Sequence, residues 1–177
     1  RLVEILYLLA SYAMGGILFY LNRHKKLHTV SEIGASSKLA RHIFFWGTFI
    51  ICEYLWIIDA VLGYPYFGLG FDFSILVVLL VTFQILTGLI PARGRWLNKF
   101  HLFAAFTLAV CMNVTVVILS ISDSLHRAVI LVNVFLAVIM LLLVMSAKYT
   151  HTKNYLKHQK LFFGCWHVSI FVTVFFG

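Results

Sequence analysis

Charged residues are scarce in this 177-residue chain, and their scarcity excludes a water-soluble domain. Only 11% of the residues are Asp, Glu, Lys or Arg, whereas 62% are hydrophobic and the mean hydropathy is +0.98. Soluble domains average about 25% charged residues. Two prolines and eleven glycines are too few for a fibrous or low-complexity chain, and six acidic against fourteen basic residues exclude an acidic disordered one. The composition is that of an integral membrane protein, and at this length we expect a single domain over residues 1–177.

Cysteines and the short motifs of enzymes are also sparse. Cys52, Cys111 and Cys165 all fall in apolar segments, where we expect buried hydrophobic side chains and no disulfides. The sequence contains no Gly-rich phosphate loop, Gly-x-Ser-x-Gly, His-Glu-x-x-His or Cys-x-x-Cys, which argues against an enzyme. The net charge of +8 does not indicate a nucleic-acid partner, because the basic residues lie between apolar runs. The lack of an initiator Met and the end at Gly177 inside an apolar run indicate a fragment or a processed chain.

Long apolar runs define the fold class. A helix needs about 20 apolar residues to cross the hydrocarbon core, and only helices or closed barrels satisfy their backbone polar groups there. Runs of this length, too long for barrel strands, occupy residues 2–21, 43–62, 73–90, 100–121, 125–147 and 161–177. The sequence therefore predicts an all-α fold, a polytopic transmembrane helical bundle with six spans.

The basic residues predict the orientation of the bundle. Twelve of the fourteen Lys and Arg residues lie in three alternate connections, residues 22–42, 91–99 and 148–160. The positive-inside rule makes these connections cytoplasmic. Both chain ends and the intervening connections are then non-cytoplasmic.

The connection between the first two spans contains a helix start signal. The segment 29–32, Thr-Val-Ser-Glu, fits a capping box, in which a Thr hydroxyl and a Glu three residues later satisfy early backbone N–H groups. It predicts a short interfacial helix that places Ser31, Glu32, Lys38 and Arg41 at the level of the lipid headgroups. The alternative is basicity that serves only the positive-inside rule.

Glu53 is the candidate catalytic residue of the second span. It lies near the bilayer centre, where a lipid-facing carboxylate costs about 2.5 to 3.5 kcal/mol, so we expect it to face the bundle interior. There it is either functional or a neutral group hydrogen-bonded to a neighbouring helix through Asn113, Thr115 or Asn133. Asp59, nearer the outer end, is expected to reach water.

Eight histidines raise the question of haem or metal. His101 and His167 are candidate axial ligands of one b-type haem between two helices. An electron relay across the membrane needs ligand pairs at two levels, whereas seven of the eight histidines fall on the cytoplasmic half of the predicted topology. His24 and His28 have the i, i+4 spacing of zinc ligands but lack a third ligand nearby. We therefore expect no metal and no bound cofactor.

Several short segments resemble a known group of membrane proteins. They are residues 31–35 (SEIGA), 88–91 (GLIP), 101–105 (HLFAA), 122–127 (SDSLHR) and 155–162 (YLKHQKLF). In the Frag/DRAM/Sfk group and a six-helix prokaryotic family of unknown function, a Ser-Asp/Glu-x-Gly signature follows the first helix. A Gly-x-x-Pro turn followed by a His opens a middle helix in these families, and the Frag-type members carry a similar Lys-Gln loop. The chain resembles this superfamily over most of its length.

The resemblance implies a role in binding, handling or remodelling membrane lipid. Its candidate lipid-binding residues are Ser31, Glu32, Lys38, Arg41 and His101, and the expected partners are membrane lipids. Three alternatives stay open: an accessory subunit that packs with other membrane subunits, a b-type haem or metal redox protein, and an intramembrane hydrolase that uses Glu53 and histidines.

Overall fold

The structure is a computed structural model, and it describes residues 2–24, 29–57, 70–90, 95–122, 125–147 and 152–177. Within these ranges all regular secondary structure is helical, with seven helices and no strand. They are α1 (Leu2–Leu21), α2 (Val30–Gly34), α3 (Lys38–Ile57), α4 (Phe71–Leu89), α5 (Arg95–Ser120), α6 (Arg127–Ser146) and α7 (Thr152–Phe176).

The long helices form a bundle in which chain neighbours pack together. α1 packs on α3, α3 on α4, α4 on α5, α5 on α6 and α6 on α7, while α7 also contacts α5 and α1. Leu80, Val116 and Met140 are fully buried in the main hydrophobic core. Large apolar side chains such as Leu131 and Phe135 cover the outside. A helix that is apolar on all sides is typical of a membrane environment.

Among the described residues, three helices contain segments that are long and apolar enough to cross a membrane: Trp96–Ser120, Arg127–Ser146 and Tyr155–Phe176. Two more apolar segments, Ile5–Leu21 and Phe73–Leu89, are shorter. The structure thus agrees with a membrane protein built as a helical bundle, but it identifies three candidate spans where the sequence predicts six. Lys38, Arg41 and Glu53 lower the mean hydropathy of α3, which is not among them.

Three helices begin well before the apolar runs that predict them. α1 coincides with the predicted span 2–21, whereas α3, α5 and α7 begin 5, 5 and 9 residues before their predicted spans. Backbone hydrogen bonding continues through the preceding basic segments, since long Lys and Arg side chains can reach the polar surface while their backbone stays helical. The predicted end of the second span, residues 58–62, lies outside the described residues, as do Asp59, Pro65 and Pro91.

Polar side chains join the last three helices across the bundle. Asn113 on α5 donates to the Ala137 carbonyl of α6 at 2.8 Å. Asn133 on α6 donates to Thr173 Oγ1 at 2.9 Å and accepts from Ser169 Oγ at 2.8 Å. These bonds tie α7 to α6 and α6 to α5. The three cysteines are buried and unpaired, as predicted.

Candidate functional site

Three separate parts of the chain meet around α2, at one end of the bundle. The Val30 N–H donates to Gln159 Oε1 on α7 at 3.0 Å. Ser31 Oγ lies 2.7 Å from His101 Nε2 on α5, and Ser36 Oγ donates to Asn22 Oδ1 after α1. Residues 29–36 thus bridge the starts of α5 and α7 and the end of α1. The described parts of the three basic connections, residues 22–24, 29–42, 95–99 and 152–160, therefore approach one another around α2.

Local chemistry holds α2 in place. Thr29 has the extended backbone of an N-cap residue, and its Oγ1 accepts from the Glu32 N–H at 3.0 Å. The predicted short helix is therefore present, with the Thr half of its capping box formed. Ile33, only 3% exposed, enters a small apolar cluster with Leu18 and Ala40. α2 is anchored by apolar burial as well as by hydrogen bonds.

The hydrogen bonds of His101 determine how the ring donates and accepts. Nδ1 lies 2.8 Å from the Ile90 carbonyl oxygen, and Nε2 lies 2.7 Å from Ser31 Oγ. A carbonyl oxygen only accepts, so Nδ1 carries the hydrogen, and in the neutral imidazole Nε2 is then an acceptor. In that neutral form the Ser31 hydroxyl donates to His101. The imidazole itself is 4% exposed.

The other predicted lipid-binding residues surround this pair at different depths. Glu32 follows Ser31 on α2 and is half-buried, whereas Lys38 and Arg41 are exposed in the first turn of α3. The structure thus brings Ser31 and His101 into direct contact and leaves Lys38 and Arg41 exposed on the surface.

Aromatic rings accompany the basic residues at this end. Lys160 Nζ lies 3.9 Å from the centre of the Phe19 ring, and the Arg23 guanidinium lies 4.2 Å from that of Tyr20. On α5, Lys99 Nζ lies 5.3 Å from the centre of the Trp96 ring. Such cation–π contacts are typical of side chains that sit between apolar surface and water.

Two glycines of the predicted motifs lie at close helix contacts. A Cβ atom at Gly34 would lie 2.6 Å from Phe44 Cγ, and one at Gly88 would lie 2.8 Å from Thr48 Cγ2. Both distances are too short for any side chain. Gly34 lets α2 approach α3, and Gly88 lets α4 approach α3 just before Ile90, whose carbonyl orients His101.

Sequence reasoning missed three parts of this site: Asn22, Gln159 and the Ile90 carbonyl. Gln159 lies within the segment 155–162 that resembles the Lys-Gln loop, and Ile90 lies within the Gly-x-x-Pro segment, so both had a weak signal. Asn22 had none. Its side chain donates to the Leu18 carbonyl at 2.9 Å, a contact that depends on how α1 ends.

Glu53 corrects a prediction, because its side chain is exposed on α3. The neighbours Cys52 and Leu55 take the buried positions, and at 100° per residue Glu53 falls on the opposite face with Trp46 and Phe49. The expected interior position is wrong. The proposed hydrogen-bonding partners are also engaged elsewhere, since Asn113 and Asn133 bond between α5, α6 and α7 and Thr115 donates to the Cys111 carbonyl.

His167 belongs to a second polar cluster, between α1, α3 and α7. Its Nε2 lies 3.0 Å from the Tyr7 hydroxyl, and the Tyr7 ring stacks on Tyr54 with centroids 3.6 Å apart. Within the described residues, the Tyr54 hydroxyl is buried without a hydrogen-bond partner. His101 and His167 therefore have separate protein partners, and a haem between them stays a prediction.

The metal hypothesis for His24 and His28 falls partly outside the described residues. His24 Nε2 accepts from Arg23 Nε at 3.0 Å, and His28 is not described. In the part of the chain that the structure describes, no group of three or more His, Cys, Asp or Glu side chains comes together.

Searches against models of known protein families, curated proteins and solved structures find no match for this chain. The resemblance to the Frag/DRAM/Sfk group therefore stays a prediction based on short motifs.

Proposed function

We propose that the chain is a six-span membrane protein that binds or handles membrane lipid at the end of the bundle where α2 lies. One observation carries this proposal: the Ser31–His101 hydrogen bond joins distant basic segments into a single built site. Ser31, Glu32 and His101 form its inner part, and Lys38 and Arg41 form its charged rim.

The lengths of the helices support six spans. α1 and α3 have 20 residues each and α4 has 19. At 1.5 Å per residue each covers about 30 Å, the thickness of the hydrocarbon core. α4 packs on α5 and α1 contacts α7, while α3 packs on both α1 and α4. Six membrane crossings leave the basic end on the cytoplasmic side under the positive-inside rule.

The chemistry of the basic end supports an anionic lipid as the ligand. Each Lys or Arg near an anionic leaflet gains about 1 kcal/mol, so the exposed Lys38 and Arg41 favour phosphate headgroups. General basicity alone explains that much. The Ser31–His101 pair, with His101 buried and Ser31 half-buried, adds a fixed polar position that a diffuse counter-charge does not need.

Native mass spectrometry of the delipidated protein tests this proposal. We expect discrete adducts with phosphatidylglycerol and fewer with phosphatidylcholine. Arg41→Ala and His101→Ala should weaken the phosphatidylglycerol adducts about tenfold, the effect of losing about 1.4 kcal/mol of binding free energy. Lys157→Ala is the matched control, because Lys157 is exposed on α7 in another basic segment.

The outcomes separate this site from its alternatives. Equal weakening by all three substitutions would mean general electrostatics and would contradict a defined site. Unchanged lipid adducts in every variant that keeps its fold would also contradict a defined site. Either result would favour the accessory-subunit interpretation.

A further inference from the structure

The hydroxyl of Ser31, like that of Ser169, bonds to a side chain of another helix, and its partner is an imidazole nitrogen. Thr48, Thr115 and Ser120 each donate to the carbonyl four residues earlier on their own helix. That is the ordinary way for a buried hydroxyl in a helix to be satisfied. Ser31 Oγ instead bonds to an imidazole nitrogen 70 residues further along the chain. A serine hydroxyl and an imidazole nitrogen therefore form the contact between α2 and α5.

The three groups in this contact are arranged as nucleophile, base and orienting acceptor. The Ile90 carbonyl holds the hydrogen of Nδ1 at 2.8 Å, which leaves the lone pair of Nε2 directed at the Ser31 hydroxyl at 2.7 Å. A hydroxyl within hydrogen-bond reach of a base, with the base oriented by a third group, is the general arrangement of an activated nucleophile. His101 is almost fully buried, whereas Ser31 is half-buried.

We propose that Ser31 is an acyl-accepting nucleophile and that His101 is its general base, acting on an ester bond of a membrane lipid. The choice of substrate rests on the proposed function, whereas the reactivity of Ser31 does not. The position of α2 fits this substrate. Ile33, two residues on, is buried in an apolar cluster, while Lys38 and Arg41 are exposed, so Ser31 lies between apolar and charged surface. Glycerolipid esters occupy the same boundary, just below the phosphate.

The reaction balances without an oxidant or a cofactor. Ser31 Oγ attacks the ester carbonyl carbon as its proton moves to His101 Nε2. The bond between that carbon and the lipid alcohol breaks, and the alcohol leaves with the proton from His101. Water then attacks the acyl group on Ser31 and gives a proton to His101. The acyl–Ser31 bond breaks, the fatty acid leaves, and Ser31 regains its proton.

Labelling by an alkyl fluorophosphonate tests the nucleophile directly, since this reagent phosphonylates activated serines. The full chain in detergent should gain one adduct in its intact mass, and peptide sequencing should place the adduct on Ser31. Ser31→Ala should abolish the labelling. If Ser31→Ala does not fold, Ser31→Cys should retain the fold and lose the same adduct, because the reagent prefers a serine oxygen.

His101→Gln separates catalysis from a structural contact. A Gln oxygen can still accept from Ser31 and hold α2 in place, but an amide does not take up the proton. We expect thermal stability to stay near that of the wild type and the labelling rate to fall at least about 100-fold, the lower range of general-base effects. Ser37→Ala and His42→Ala are matched controls, because both residues are exposed beside the site.

Three results would overturn the proposal. They are no adduct on the folded wild-type protein, equal labelling of Ser37, or an unchanged rate in folded His101→Gln. Lipid adducts in native mass spectrometry provide the separate readout. If they persist without labelling, the nucleophile fails and lipid binding stands. If labelling occurs without lipid adducts, the lipid proposal fails and the activated serine stands.

Discussion

Gly34 of α2 lies directly against the ring of Phe44 on α3, with only 2.6 Å between Phe44 Cγ and the position that a Cβ atom on Gly34 would take. This contact sets how closely α2 approaches the bundle. It thereby fixes the distance between Ser31, three residues earlier on α2, and His101 on α5. Gly34 affects the site only by setting the position of α2.

Gly34→Ala should destabilise the protein and disturb the site together. The added methyl group overpacks the contact with Phe44, which costs about 1 to 3 kcal/mol. We expect a lower thermal unfolding midpoint and slower fluorophosphonate labelling. Gly16→Ala is the control, because Gly16 lies on α1 with no atom within 4 Å of its would-be Cβ. Equal midpoints for the two variants would contradict the close contact.

Asn133→Ala should loosen α7 from α6. Asn133 is fully buried, and its loss leaves the hydroxyls of Thr173 and Ser169 without their partner. Interhelical hydrogen bonds in membranes contribute about 1 to 2 kcal/mol in model peptides. We expect a lower unfolding midpoint in detergent, measured beside Asn98→Ala, which changes an exposed Asn on α5. A midpoint equal to that of the control would show that this network does not stabilise the bundle.

Glu53→Leu should be tolerated or stabilising in membranes. The Glu53 side chain is exposed on α3, and a carboxylate near the bilayer centre costs about 2.5 to 3.5 kcal/mol. We expect equal or higher yield of folded protein from membranes, with fluorophosphonate labelling unchanged. A marked loss of folded protein in both Glu53→Leu and Glu53→Gln would mean that Glu53 has a partner outside this chain.

Cysteine accessibility tests the proposed orientation. The three native cysteines are buried, so they can be replaced before single cysteines are introduced at Arg41, Lys157 and His126. Arg41 and Lys157 belong to basic segments, and His126 caps the start of α6 at the opposite end. We expect a membrane-impermeant maleimide to label position 126 from outside intact cells and the other two only after lysis. Labelling of positions 41 and 126 from the same side would contradict six crossings.

Composition and apolar runs predict the helical class and the bounds of α1, because both follow from local sequence. The faces of the helices are less predictable. α3 is apolar around most of its circumference, so its pattern does not reveal that Cys52 turns inward and Glu53 outward. Burial there is decided by which helices pack on it, and a single sequence carries no direct record of that packing.

The contacts of the site also divide into local ones, which the sequence predicts, and long-range ones, which it does not. Thr29 and Glu32 are three residues apart, and their capping contact follows from local spacing. The motifs place Ser31 and His101 in one predicted site. The hydrogen bond between them is not predictable from local sequence, because 70 residues separate them. The Ile90 carbonyl is a backbone group, which no residue pattern marks as a partner.

Photo-crosslinking with a phosphatidylglycerol analogue, carrying a diazirine near the headgroup, tests the central claim most directly. The account predicts crosslinks concentrated in residues 29–41 and around His101, competed by excess unlabelled lipid and reduced by Arg41→Ala. Crosslinks spread evenly over all three basic segments, or concentrated around His126 at the opposite end, would contradict it.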